Sequence, residues 1–83
     1  MKNYETRYIE LCKDFIKDVF NEKCLPGGGI ETNCFWKLAE ESGLWIRETY
    51  GTAMSKALEA LTDVLSVNDE NGNYLYTIFT MKQ

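Results

Sequence analysis

The stretch Ser66-Val67-Asn68-Asp69-Glu70-Asn71-Gly72-Asn73-Tyr74-Leu75-Tyr76-Thr77-Ile78-Phe79 sets Asn71-Gly72 between two runs rich in β-branched and aromatic residues. An Asn-Gly pair tolerates the positive φ that tight hairpin turns require, so the spacing predicts a β-hairpin with its turn on Glu70 to Asn73. Side chains alternate along a strand, which puts Tyr74, Tyr76 and Ile78 on one face and Leu75, Thr77 and Phe79 on the other. Both faces are apolar. The helices of one chain can cover one of them, and the other calls for a partner or a second subunit.

Upstream of the hairpin the apolar period changes from two to three and four. Met54, Ala57, Leu58, Leu61, Val64 and Leu65 form one stripe, with Ser55, Lys56, Glu59, Thr62 and Asp63 facing outward, which predicts a helix from Met54 to Leu65. Its start is open between the end of Leu44-Trp45-Ile46 and a cap at Thr49 or Thr52. Before it, Phe35, Trp36, Leu38 and Ala39 give a short helix capped by Thr32 or Asn33, with Gly43 as its left-handed stop. At the head of the chain, apolar residues at Tyr4, Tyr8, Ile9, Cys12, Phe15, Ile16, Val19 and Phe20 make the stripe of a first helix. Leu25-Pro26-Gly27-Gly28-Gly29 ends that helix, because Pro26 lacks an amide donor and the glycines cost too much backbone entropy, and Ile30 starts a short strand.

These elements amount to one α+β domain over residues 1–83, mainly α, with three helices and a C-terminal β-hairpin wing. Eighty-three residues hold a single core. The opening MKNYETRYIE mixes charge with apolar residues, as neither a secretory leader nor a membrane span would, so a cytoplasmic location is expected. Cys12, Cys24 and Cys34 are an odd number without any histidine, which suits reduced thiols better than a Cys24–Cys34 bridge.

Phe35-Trp36-Lys37-Leu38-Ala39-Glu40-Glu41-Ser42-Gly43-Leu44 resembles the first motif helix of winged helix-turn-helix domains, with Ala39 as the small packing residue and Gly43 at the turn. Met54-Ser55-Lys56-Ala57-Leu58-Glu59-Ala60-Leu61 resembles their recognition helix, and Val67 to Phe79 their wing. The resemblance covers residues 32–81 and implies a small DNA-binding regulator, a homodimer that meets double-stranded DNA. Arg47, Thr49, Tyr50, Thr52, Ser55 and Lys56 would then face the major groove, with Arg47 and Lys56 as the phosphate or guanine contacts. Trp45, Tyr74, Tyr76 and Ile78 would meet a partner or close the dimer. The chain departs from the family in the eight residues Leu44 to Gly51 between turn and helix, and in a wing tip that carries Asp69 and Glu70 and no base.

The charge pattern keeps a second reading open. Net charge is −4, and residues 31–67 hold three bases against six acids, whereas DNA readers gain non-specific affinity from Lys and Arg. The alternative is an acidic protein-interaction module, such as a phage-type inhibitor occupying a basic surface on a host nucleic-acid-binding or CRISPR protein. Enzymatic chemistry finds little footing. Without histidine there is no Ser-His or Cys-His pair, the carboxylates are dispersed, and Gly27-Gly28-Gly29 lacks the lysine and hydroxyl of a P-loop. Three scattered cysteines offer neither the number nor the spacing of a zinc site, so no metal, cofactor or catalytic residue is expected.

Overall fold

The computed structural model describes residues 2–24, 28–44 and 51–82, and the side chains of residues 2–5, 51 and 52 fall outside that description. In chain order the elements are α1 (Lys2–Lys23), β1 (Gly29–Glu31), α2 (Thr32–Ser42), α3 (Gly51–Leu61), β2 (Thr62–Asn68) and β3 (Tyr74–Met81). Three helices and a three-stranded antiparallel sheet in the order β1-β3-β2 make the α+β class expected from the sequence. No described helix is long and apolar enough to cross a membrane.

The first helix follows its apolar stripe. Cys12, Ile16, Val19 and Phe20 are buried, Tyr8, Ile9 and Phe15 pack against them, and on the polar face Lys13 Nζ lies 3.4 Å from Glu10 Oε2. α1 rests chiefly on α3, whose Ala53, Met54, Ala57 and Leu58 are buried. Phe35 of α2 is fully buried at the centre, where Phe15, Trp36 and Phe79 meet its ring edge-on at centroid distances of 5.8, 5.7 and 5.4 Å. Edge-to-face contacts suit the ring quadrupoles, and these tie α1, α2 and β3 together through one side chain.

α2 begins one residue earlier than the Thr32 or Asn33 cap. Glu31 is the N-cap, and its carboxylate accepts the Asn33 amide at 2.8 Å. Gly43 closes the helix at φ 81°, the left-handed stop, and its amide returns to the Glu40 carbonyl.

The third helix is shorter than its apolar spacing predicts, and this corrects the sequence reading. α3 ends at Leu61, and residues 62–65 are already strand, so Val64 and Leu65 belong to β2 rather than to a buried helical stripe. Thr62, expected on an outward helix face, is buried, and its hydroxyl donates to the Leu58 carbonyl at 2.6 Å. Lys82 completes the closure, with Nζ donating to the Glu59 carbonyl at 2.9 Å and its backbone amide to the Leu61 carbonyl at 2.9 Å. Three of the last four carbonyls of α3, which have no partners inside the helix, are thus satisfied without a capping glycine, and the chain enters the sheet with no loop.

The hairpin is correspondingly longer than Val67 to Phe79. It turns through Asp69–Asn73, with the Asp69 amide donating to the Asn73 carbonyl at 2.9 Å and Gly72 at φ 86°.

Candidate functional site

Cross-strand partners assign each strand residue to a face. Ile30 faces Phe79, both buried, and Thr77 joins α2 through a 2.8 Å contact between its hydroxyl and that of Thr32, so Ile30, Thr62, Val64, Ser66, Thr77, Phe79 and Met81 form the helix side. The outer side then carries Gly29 and Glu31 from β1, Asp63, Leu65 and Val67 from β2, and Tyr76, Ile78 and Thr80 from β3. No described helix packs there.

The middle of that outer side is an apolar block of two adjacent cross-strand pairs, Leu65 with Ile78 and Val67 with Tyr76. Leu65 is 50% exposed and Tyr76 42%, while Val67 and Ile78 are half-buried. Such pairs stabilise a sheet by packing on one another, about 0.2–1 kcal/mol each, yet this block still leaves large apolar surfaces facing water. Gly29 lets the sheet close over its third strand. A Cβ there would sit 2.8 Å from Ile78 Cδ1 and 2.9 Å from the Phe79 carbonyl oxygen, so only glycine fits beside Ile78.

Acids frame the block. Asp63 lies across from Thr80 and Glu31 across from Ile78, while Asp69 and Glu70 occupy the turn. The three strands and the turn hold these four acids and no Lys or Arg, so this part alone carries −4, equal to the net charge of the whole chain. The turn is built around Asp69, whose carboxylate accepts the amides of Asn73 at 2.8 Å and Asn71 at 2.9 Å, with a 3.3 Å bond from the Asn73 side chain. Bonds to the ionised form, first that from the Asn73 amide, hold the Asp69 carboxyl below the usual carboxylate range.

Of the residues expected at an interface, Tyr76 and Ile78 stand together in the outer block. Tyr74 does not continue their row: the register shifts between Val67 and Asn68, so Tyr76 faces Val67 while Tyr74 faces Asn68, and Leu75 is the extra residue of a bulge. Tyr74 and Leu75 are 62% and 53% exposed at the far end of the hairpin. Trp45 lies outside the described residues, as do Arg47, Thr49 and Tyr50. Thr52 lies in the first turn of α3 with its side chain undescribed, and Ser55 and Lys56 are exposed on α3 close in sequence to Glu59, also exposed. Sequence reasoning misses Asp63 and Leu65 as site residues because their spacing also fits a helix, and Val67, placed in the wing, because its partner Tyr76 is known only from the register. The β-branched run Thr62, Val64, Val67 is the available signal.

The cysteines are free thiols, Cys12 buried in the core, Cys24 half-buried and Cys34 exposed, and burial pushes the first two thiols upward in pKa, away from nucleophilic reactivity. Among the described residues no three His, Cys, Asp or Glu side chains group as metal ligands. No protein-family model matches the sequence, and no curated protein and no solved structure matches it either.

Proposed function

We propose that this chain is an acidic protein-interaction module that docks through the outer face of its sheet onto a basic protein surface, of the kind found on proteins that handle nucleic acid. The observation that carries this reading is the apolar block of Leu65, Val67, Tyr76 and Ile78 set inside a frame of four acids, on strands and a turn that contain no Lys or Arg. Exposed apolar surface with a polar rim is the anatomy of a protein-binding patch. The frame selects the partner's sign, since complementary charge steers encounter and like charge opposes it. For the same reason the hairpin is poorly suited to phosphate, whose binding requires Lys and Arg.

A second reading, a dimeric winged helix-turn-helix regulator that reads double-stranded DNA, is supported by the element order and by the exposure of Ser55 and Lys56 on α3. The two readings separate in a paired experiment. Wild-type protein and a Leu65→Asp/Tyr76→Asp variant are compared for capture of nucleic-acid-handling proteins from host extract, and both are titrated with duplex DNA at low salt. The interaction module predicts capture by wild type, loss in the variant, and no DNA binding at tens of micromolar. Duplex binding in the range of roughly 10⁻⁴ to 10⁻⁶ M that non-specific contacts supply, or equal capture by the variant, rejects it.

A further inference from the structure

β2 is an edge strand: β3 lies along one side of it, and no described element lies along the other. Every second amide and carbonyl of β2 therefore points away from the sheet, with no strand among the described residues to pair with, which makes a ready template for another strand. Soluble proteins usually blunt such edges with lysine, proline or shortness. β2 runs seven residues, holds neither Lys nor Pro, and has Asp63 as its single charge. Apolar side chains project from both of its faces. Leu65 is half exposed on the outer side, and Val64 is 58% exposed on the helix side although its direct partner Phe79 is buried. A groove of about 390 Å³ beside it is lined by apolar Trp36, Leu58, Val64 and Phe79 together with polar and charged side chains, Glu59 and Lys82 among them, so apolar surface reaches the edge within a partly polar groove. The other edge of the sheet is less suited, because β1 already occupies Ile78–Thr80 and the remaining part of β3 contains the bulge.

We propose that the free edge of β2 pairs antiparallel with β2 of a second copy of this chain, joining two three-stranded sheets into one of six strands. Charge selects this occupant in this geometry. About a two-fold axis at Leu65, Leu65 meets its own counterpart, Asp63 lies across from the second copy's Val67, and Val64 lies across from its Ser66, so no acid opposes an acid. Antiparallel pairing also sends the two turns, with Asp69 and Glu70, to opposite ends of the joined sheet. Stacking two copies face to face would instead press together two surfaces of −4 each. The edge pairing leaves both outer faces open and does not depend on the partner reading above.

Light scattering or sedimentation velocity on the full chain, from low micromolar to near millimolar concentration, tests the proposal together with two variants. Wild type dimerises reversibly, and Val64→Lys, on the helix side of the edge and away from the outer block, raises the dimer dissociation constant by more than about tenfold while its circular dichroism stays unchanged. Leu65→Cys, made with Cys24→Ser and Cys34→Ser so that the introduced thiol is the exposed one, forms a disulfide-linked dimer on mild oxidation at concentrations where the same protein with Leu65 retained does not. This cross-link keeps the test open should Val64→Lys fold poorly. A chain that stays monomeric throughout, which would leave the edge for a foreign strand, overturns the proposal. So does a dimer that neither responds to Val64→Lys nor cross-links through position 65.

Discussion

Replacing Thr62 by valine probes the joint that turns α3 into β2. Valine keeps the shape and β-branching of threonine, so the strand propensity of the site and the volume under Leu58 hardly change. What is lost is the 2.6 Å bond from the buried hydroxyl to the Leu58 carbonyl. A hydrogen bond of this kind contributes about 0.5–1.5 kcal/mol net, but removing only its donor leaves a buried acceptor short of a partner, which costs about 1–3 kcal/mol instead. The extra methyl group regains about 0.8 kcal/mol through burial. The balance is a loss of up to about 2 kcal/mol, which in a domain this small lowers the melting midpoint by about 4–8 °C for each kcal/mol. Thr62→Ser retains the hydroxyl and sacrifices only a methyl, so it separates the bond from the packing. Thermal unfolding followed at 222 nm on wild type and both variants reads the effect directly. If Thr62→Val melts with wild type, the hydroxyl is not what closes α3, and the explanation of the loop-free entry into the sheet fails.

Two further perturbations test other joints. Gly29→Ala places a methyl group 2.8 Å from Ile78 Cδ1 and 2.9 Å from the Phe79 backbone oxygen; forcing β1 outward is expected to destabilise by about 1–3 kcal/mol in chemical denaturation, and a variant as stable as wild type would mean that β1 is loosely held. Asp69 has its folded-state pKa held below its unfolded value, so its stabilisation of the turn is complete above the unfolded value, near pH 4, and is lost as pH falls through the lowered folded value. The melting difference between wild type and Asp69→Ala is therefore largest at neutral pH and closes below about pH 4; a difference that persists unchanged at pH 2 rules out the carboxylate as its source.

Much of this fold is written locally. The first helix needs only its apolar spacing, Gly43 supplies a left-handed stop that most residues resist, and Asn71-Gly72 announces the hairpin. The boundary between α3 and β2 is not local. Leu61, Val64 and Leu65 continue the stripe of Met54, Ala57 and Leu58 at intervals of three and four, so the apolar pattern itself gives no stop. The Thr62 hydroxyl closes the Leu58 carbonyl from within, and Lys82, more than twenty residues away in sequence, lies close enough to bind those of Glu59 and Leu61. The outer block is half legible for the same reason. Tyr76 and Ile78 are visible as one face of a strand, but their partners Leu65 and Val67 become neighbours only once the register is known. Alternation alone assigns Tyr74 to the row of Tyr76, and one bulged residue, Leu75, moves it out.

The distribution of charge has a consequence for how the molecule approaches anything. α1 carries five bases and five acids and is neutral overall, while the sheet and its turn carry −4, so the protein is electrically lopsided rather than uniformly acidic. In the field of a basic surface it experiences a torque as well as an attraction and arrives sheet first. That orienting reach extends about 8 Å at physiological ionic strength and about 30 Å at 0.01 M. Added salt should accordingly slow association far more than it speeds dissociation, because the apolar contacts formed after arrival do not depend on screening.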